Sequence, residues 1–124
     1  MQTLTVRLYV DDPDAASYFY LDLFRASIVH RFEYEGRADR IEMEIEGVPF
    51  TLIRYPGPKI PANCLEFQMA VEKDRLASLY ADALERDAVA IEAPATCTEV
   101  WETTACFDDP FGFRWNLYHK DDEI

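Results

Sequence analysis

Hydrophobic and polar residues alternate strictly through Leu4, Val6, Leu8 and Val10, the period-two signature of a strand with one buried face. From Asp11 the period changes. Asp11-Asp12-Pro13-Asp14 places an acid near a cap, a proline in the first turn and a further acid beside it, which are helix-start signals that also suit the helix dipole. Ala15, Ala16, Phe19, Leu23 and Phe24 then form one apolar stripe to about residue 25. Segments 27–34 and 39–46 predict a hairpin around Glu35-Gly36. In the second of them Ile41, Met43 and Ile45 alternate with Glu42, Glu44 and Glu46, so one face of that strand meets water or a polar groove. Gly47 turns the chain into a fourth strand, 48–55.

The same order then recurs. Leu65, Phe67, Met69 and Val71 repeat Leu4, Val6, Leu8 and Val10 at an offset of 61 residues, and Leu76, Ala77, Tyr80 and Leu84 repeat Ala15, Ala16, Phe19 and Leu23 at the same offset. Toward the ends of the halves the offset grows to 65, where Gly47, Phe50, Thr51 and Leu52 match Gly112, Trp115, Asn116 and Leu117. The second half reads as a strand at 64–71, a helix over about 73–87, short strands near 88–92 and 98–107, and a last strand at 112–119. Leu76, Leu79, Tyr80, Ala83 and Leu84 give that helix one amphipathic face. Asp108-Asp109-Pro110-Phe111-Gly112 carries turn chemistry. Pro56-Gly57-Pro58-Lys59-Ile60-Pro61 is the one linker-like segment, too short to separate independent domains.

The predicted architecture is therefore α+β. One domain, 1–124, holds two tandem βαβββ modules (about 1–55 and 62–124) related by an approximate twofold. Their sheets are expected to join as one curved mixed sheet, with helices on the convex face and a cleft on the concave one. In each half the helical crossover leaves the first strand free to pair with a strand other than the second. Leu4, Val6, Phe19, Leu23, Phe67, Met69, Tyr80, Leu84, Trp115 and Leu117 form the expected core.

Composition narrows function. The 124 residues carry 24 acids against 12 bases, a formal net charge of −12. That argues against nucleic acid, whose phosphates need a basic surface, and against anionic membranes; it suits a cationic ligand or simply solubility. No apolar run approaches the roughly 18 residues of a membrane span. Met1-Gln2-Thr3-Leu4 shows no basic, cleavable leader, so a cytoplasmic location is expected. The three cysteines, Cys64, Cys97 and Cys106, are odd in number and lack C-x-x-C spacing, which points to reduced thiols rather than disulfides or zinc. Cys97 or Cys106 as a nucleophile is the alternative, but His30 and His119 are the two histidines that could serve it and neither lies near a recognisable motif.

The doubled βαβββ plan, Phe19-Tyr20 ahead of Leu23-Phe24, and Asp109-Pro110-Phe111-Gly112-Phe113-Arg114-Trp115-Asn116-Leu117 with Trp101-Glu102 upstream resemble the vicinal oxygen chelate superfamily of glyoxalases, bleomycin-resistance proteins and dioxygenases, in its PhnB-like or bleomycin-resistance-like branch. The resemblance implies that four side chains, from the first and last strands of the modules, would hold a divalent metal. The repeat places those positions at Thr5, Glu66, Thr51 and Asn116. One carboxylate without imidazole is a poor site for zinc, nickel or iron, and magnesium or manganese would want more oxygen anions. No bound metal and no cofactor are expected. The resemblance also implies a homodimer, often with the cleft completed by the second chain.

Strand alternation puts Arg7, Tyr9, Gln68, Arg114 and Tyr118 on the same side as those four positions. The candidate ligand-binding set is Thr5, Arg7, Tyr9, Thr51, Glu66, Gln68, Trp101, Arg114 and Asn116, with Trp101 a stacking wall or a core residue. Arg7 or Arg114 pairing with Glu66 is the structural alternative. Two functions compete. One is metal-free sequestration of a small organic molecule, cationic or aromatic. The other is an enzyme of lyase, isomerase or dioxygenase type using Glu66 as acid or base. Glu66 has no second carboxylate, histidine or nucleophile at a recognisable spacing, which favours binding.

Overall fold

The computed structural model describes residues 4–55, 57, 65–98 and 101–120. Cys64, and the linker-like segment apart from Gly57, lie outside them. The chain divides into two compact units, Met1–Lys59 and Ile60–Ile124. Each has the βαβββ order and a four-stranded mixed sheet.

The first unit holds β1 (Val6–Val10), α1 (Pro13–Phe24), β2 (Ser27–Tyr34), β3 (Arg37–Ile45) and β4 (Val48–Arg54). Helix α1 starts as its sequence predicts. Asp12 Oδ1 accepts the N–H groups of Asp14 at 3.1 Å and Ala15 at 3.3 Å, with Pro13 in the first turn. It stops at Arg25, which is left-handed (φ 55°), and the Ala26 N–H closes back on the Tyr20 carbonyl at 3.2 Å. Both hairpins of this unit use two-residue turns with positive φ at both positions: Glu35 (53°) with Gly36 (81°), and Glu46 (51°) with Gly47 (77°). That geometry matches the strand twist and favours glycine at the second position.

The sheet order is β1-β4-β3-β2, with β1 parallel to β4 and the other pairs antiparallel. The helical crossover from β1 to β2 spans the positions that β3 and β4 later fill, so the first strand ends beside the last. Leu8, Val10, Ile41, Met43, Ile45, Phe50 and Leu52 are buried on one face, as are Ala16, Phe19, Tyr20, Leu23 and Phe24 on α1. Tyr20 stands edge-on to Phe50, ring centroids 5.7 Å apart.

The second unit repeats the plan with β5 (Glu66–Ala70), α2 (Lys73–Glu85), β6 (Val89–Cys97), β7 (Glu102–Asp108) and β8 (Arg114–Lys120) in the order β5-β8-β7-β6. Leu76, Leu79, Tyr80 and Ala83 of α2 are buried, together with Ala105, Phe107, Trp115 and Leu117 of the sheet. Glu72 makes no side-chain cap bond to α2, unlike Asp12 at α1. No helix among the described residues is long and apolar enough to cross a membrane.

Two expectations need correction. Strand β6 runs over nine residues, Val89–Cys97, rather than 88–92, and β7 begins at Glu102 rather than near 98. Every residue of β6 is exposed and its pairing with β7 shifts register around Glu92, so no periodic burial marks its length. The core list also overreached at the edges. Leu4 is 91% exposed, and Val6, Phe67, Met69 and Leu84 are only half-buried. The alternation of Leu4 continues past the end of β1, where no neighbouring strand covers it. Phe19, Leu23, Tyr80, Trp115 and Leu117 are buried as expected.

Candidate functional site

Cross-strand pairing sorts the polar residues of each sheet into rows. In the second unit Trp115 and Leu117 of β8 are buried, so Arg114, Asn116 and Tyr118 point the opposite way. One row across this open face reads Glu66, Arg114, Asp108; the next reads Gln68, Asn116, Cys106, Glu92. Glu66, Gln68, Arg114 and Asn116 thus share a face, as their alternation predicts. Asp108 and Cys106 join them, two residues that the sequence reading did not place there. Their signal was available: in an antiparallel β7–β8 pair they fall opposite Arg114 and Asn116.

On this face Arg114 takes a carboxylate other than Glu66. Arg114 donates through Nε to Asp108 Oδ1 at 2.8 Å and through Nη2 to Asp108 Oδ2 at 3.2 Å. Such a two-pronged contact fixes the guanidinium plane, and the hydrogen bonding to Asp108 raises the Arg114 pKa. Glu66 instead accepts the Asn116 Nδ2–H at 3.0 Å. Its carboxylate is therefore hydrogen-bonded by an amide, while Arg114, opposite it in the β5–β8 pairing, makes its two-pronged contact with Asp108 and interacts with Glu66 only electrostatically. Cys106 is 5% exposed. Burial, the dominant cause, pushes its thiol pKa up, and Arg114 only partly opposes that. A buried thiol whose pKa is raised is disfavoured as a nucleophile.

The Asp109-Pro110-Phe111-Gly112 turn, central to the sequence resemblance, builds structure rather than lining the open face. Asp109 is 2% exposed. Its Oδ1 accepts the N–H groups of Phe111 at 2.9 Å and Phe113 at 3.0 Å, and its Oδ2 accepts the Trp115 indole N–H at 2.9 Å. One buried carboxylate thus sets the entry of β8 and the register of Arg114 and Asn116. His119 is likewise structural: its Nδ1 lies 3.1 Å from the Val71 carbonyl oxygen.

In the first unit Arg7 and Tyr9 alternate with buried Leu8 and Val10 and stay exposed. Thr51 is half-buried and pairs with Arg7; Thr5 lies just before β1, exposed. The row Arg7, Thr51, Glu42, His30 crosses all four strands. The next row is Tyr9, Ile53, Arg40, Phe32. Tyr9 meets Tyr55 edge-on at 5.5 Å, His30 packs on Phe32 at 4.0 Å, and the Arg40 guanidinium lies 4.1 Å from the Phe32 ring centroid. Sequence reasoning named neither Arg40 nor Phe32, because β2 is bulged between Ile28 and His30 and again between Phe32 and Glu33, which blurs its period. Trp101 belongs to neither set of rows; it precedes β7 in a left-handed conformation (φ 53°) and is 38% exposed.

The metal-ligand positions implied by the resemblance are Thr5 and Thr51 in the first unit and Glu66 and Asn116 in the second. Thr5 and Thr51 offer hydroxyls, Asn116 an amide already donating, and Glu66 the one carboxylate. Among the described residues no group of three or more His, Cys, Asp or Glu is arranged to hold a metal ion.

Comparisons with known proteins agree with the architecture. The profile of the Glyoxalase/Bleomycin resistance protein/Dioxygenase superfamily matches residues 3–117. Among solved structures, a fosfomycin resistance protein, FosX, from Listeria monocytogenes superposes with a TM-score of 0.77 at 9% identity, covering 96% of this chain and 93% of that one. A PhnB protein from Bacillus cereus gives 0.73 at 17% identity over 95% and 99% of the two chains. Protein ATC0852 from Agrobacterium tumefaciens gives 0.74 at 20% identity over 98% and 100%. At such identities these likenesses concern the fold. No curated protein matches the chain.

Proposed function

Because the chain belongs to the Glyoxalase/Bleomycin resistance protein/Dioxygenase superfamily, yet carries threonine, glutamate and asparagine where a metal would be held, we propose that it binds a small organic molecule without a metal and without transforming it. The ligand is cationic or aromatic. The observation that carries this reading is the state of Glu66. Its carboxylate sits on the open face of the second unit with an amide as its partner, while the neighbouring guanidinium of Arg114 is engaged by Asp108. A carboxylate that shares its neighbouring cation with a second acid is suited to receive one from a ligand. Gln68 and Asn116 flank it with further hydrogen-bonding groups. In the first unit Thr5, Arg7, Tyr9 and Thr51 provide hydroxyl, guanidinium and phenol groups.

Acid or base catalysis by Glu66 stands against this. The hydrogen-bond partner of Glu66 is the Asn116 amide, and its cross-strand neighbour Arg114 is held by Asp108, so no second titrating group is paired with it. We further propose a cytoplasmic homodimer that contacts neither nucleic acid nor membrane, in keeping with the −12 charge.

Calorimetry against a cationic glycopeptide and a panel of aromatic compounds tests the binding, with thermal melts alongside. Loss of one charged hydrogen bond is about 1.5–3 kcal/mol, so Glu66→Gln should weaken a cationic ligand by roughly 10- to 150-fold at an unchanged melting temperature. Unchanged affinity with a lowered melting temperature would retire Glu66 from the site. Product formation that the variant loses would make the protein an enzyme. Titration of chelator-treated protein with zinc or manganese should show less than stoichiometric binding, whereas one tight ion per chain, lost in Glu66→Gln, would refute the metal-free reading. Sedimentation at micromolar concentration reads the dimer directly, and a clean monomer near the 14.4 kDa chain mass would remove it.

A further inference from the structure

In a chain with twice as many acids as bases, most arginines with described partners are engaged by carboxylates: Arg31 by Asp14 and Glu33, Arg75 by Asp82, Arg114 by Asp108. Arg7 and Arg40, on the open face of the first unit, are not among them. Arg7 is exposed and has no carboxylate partner among the described residues. Arg40 has Glu42 two residues away on its own strand, yet its guanidinium lies over the Phe32 ring at 4.1 Å. Between them in the sheet, half-buried Ile53 provides an apolar floor, with Tyr9 beside it on β1 and Arg40 beside it on β3.

We infer that this face binds an aromatic anion: a flat one- or two-ring carboxylate whose ring lies over Ile53 between Tyr9 and Arg40 and whose charged group pairs with Arg7. The inference rests on the aromatic alternative of the small-molecule reading above and concerns the first unit's face alone, apart from the role given to Glu66. Neighbouring strands are about 4.8 Å apart, so the β1-to-β3 span is roughly 10 Å, wide enough for a bicyclic ring. A guanidinium already stacked on one aromatic face presents its second face to another ring. Arg7 stands one row below Tyr9, where its two-pronged donor set matches a carboxylate. Glu42, on the far side of Thr51 from Arg7, repels an anion in the reverse orientation and so keeps the carboxylate on the β1 side.

The test is an amide-resolved NMR titration of the full chain with 2-naphthoate, 2-naphthol and naphthalen-2-ylmethylammonium. 2-Naphthoate should shift the amides of Arg7, Tyr9, Ile53 and Arg40 and bind at least tenfold tighter than 2-naphthol. Arg7→Gln should weaken it by tenfold or more, and Arg7→Lys by less. Arg40→Gln should weaken it severalfold, with its amide spectrum reporting that the fold is kept. Equal affinity for the alcohol, shifts confined to other strands, or affinities within twofold of wild type in both Arg7→Gln and Arg40→Gln would overturn the inference. So would an absence of 2-naphthoate binding at millimolar concentration. If the ammonium compound binds through Glu66 while 2-naphthoate does not bind, this inference fails alone. If 2-naphthoate binds and no cation does, the role given to Glu66 fails alone.

Discussion

Replacing Asp109 tests whether one buried carboxylate organises the start of β8. In the wild type it accepts the N–H groups of Phe111 and Phe113 through Oδ1 and the Trp115 indole N–H through Oδ2. Asparagine at this position keeps one acceptor oxygen. With that oxygen on the Phe111 and Phe113 N–H groups, its NH2 faces the indole N–H donor to donor. A bond to a charged acceptor is lost and a buried donor is left unpaired; each effect is about 1–3 kcal/mol, and they overlap. Asp109→Asn should therefore destabilise the protein by about 2–3 kcal/mol, and Asp109→Ala, which strands all three donors, by about 3–5 kcal/mol. Trp115→Phe removes the donor from the other side, with packing largely kept, and should cost about 1–2 kcal/mol. Because both changes break the same bond, the double variant should be less destabilised than the sum by about 1–2 kcal/mol. Urea unfolding followed by far-ultraviolet circular dichroism measures the wild type and the four variants. An Asp109→Asn variant within about 0.5 kcal/mol of wild type, or a fully additive cycle, would show that the turn is held by other contacts.

Two further outcomes follow from the thiols and the acid limb. In native protein, iodoacetamide should modify exposed Cys97 readily and Cys106 only after urea is added, since burial keeps Cys106 both inaccessible and protonated; peptide mass mapping showing equal native rates would contradict that. Asp14 is held below the usual carboxylate range, chiefly by its hydrogen bond to Arg31, at 2.8 Å. A depressed folded-state pKa stabilises above the unfolded value, about 4, and the benefit is lost as pH falls through the lower folded value. The small melting-temperature gap between wild type and Arg31→Gln should thus narrow from pH 6 to pH 3, and a gap that stays constant or widens would refute the assignment.

The repeat of alternating and helical apolar positions was enough to specify two βαβββ units, because burial on one face of a strand or helix writes its own period into the chain. Cap and turn chemistry was equally local: Asp12 with Pro13, Glu35 with Gly36 and Glu46 with Gly47 act within a few residues of themselves. Alternation also put Glu66, Gln68, Arg114 and Asn116 on one face before any pairing was known. What alternation cannot supply is a partner across strands. That Arg114 takes Asp108 rather than Glu66, that Cys106 lies buried opposite Asn116, and that Arg40 turns onto Phe32 depend on strand order and register. Those are set by long-range pairing and by bulges in β2 and β6 that break the period. Asp109 shows the division within one residue. Its place in a turn was legible from Pro110 and Gly112. Its bond to the Trp115 indole exists only because β8 folds back to bring that ring to the same buried carboxylate.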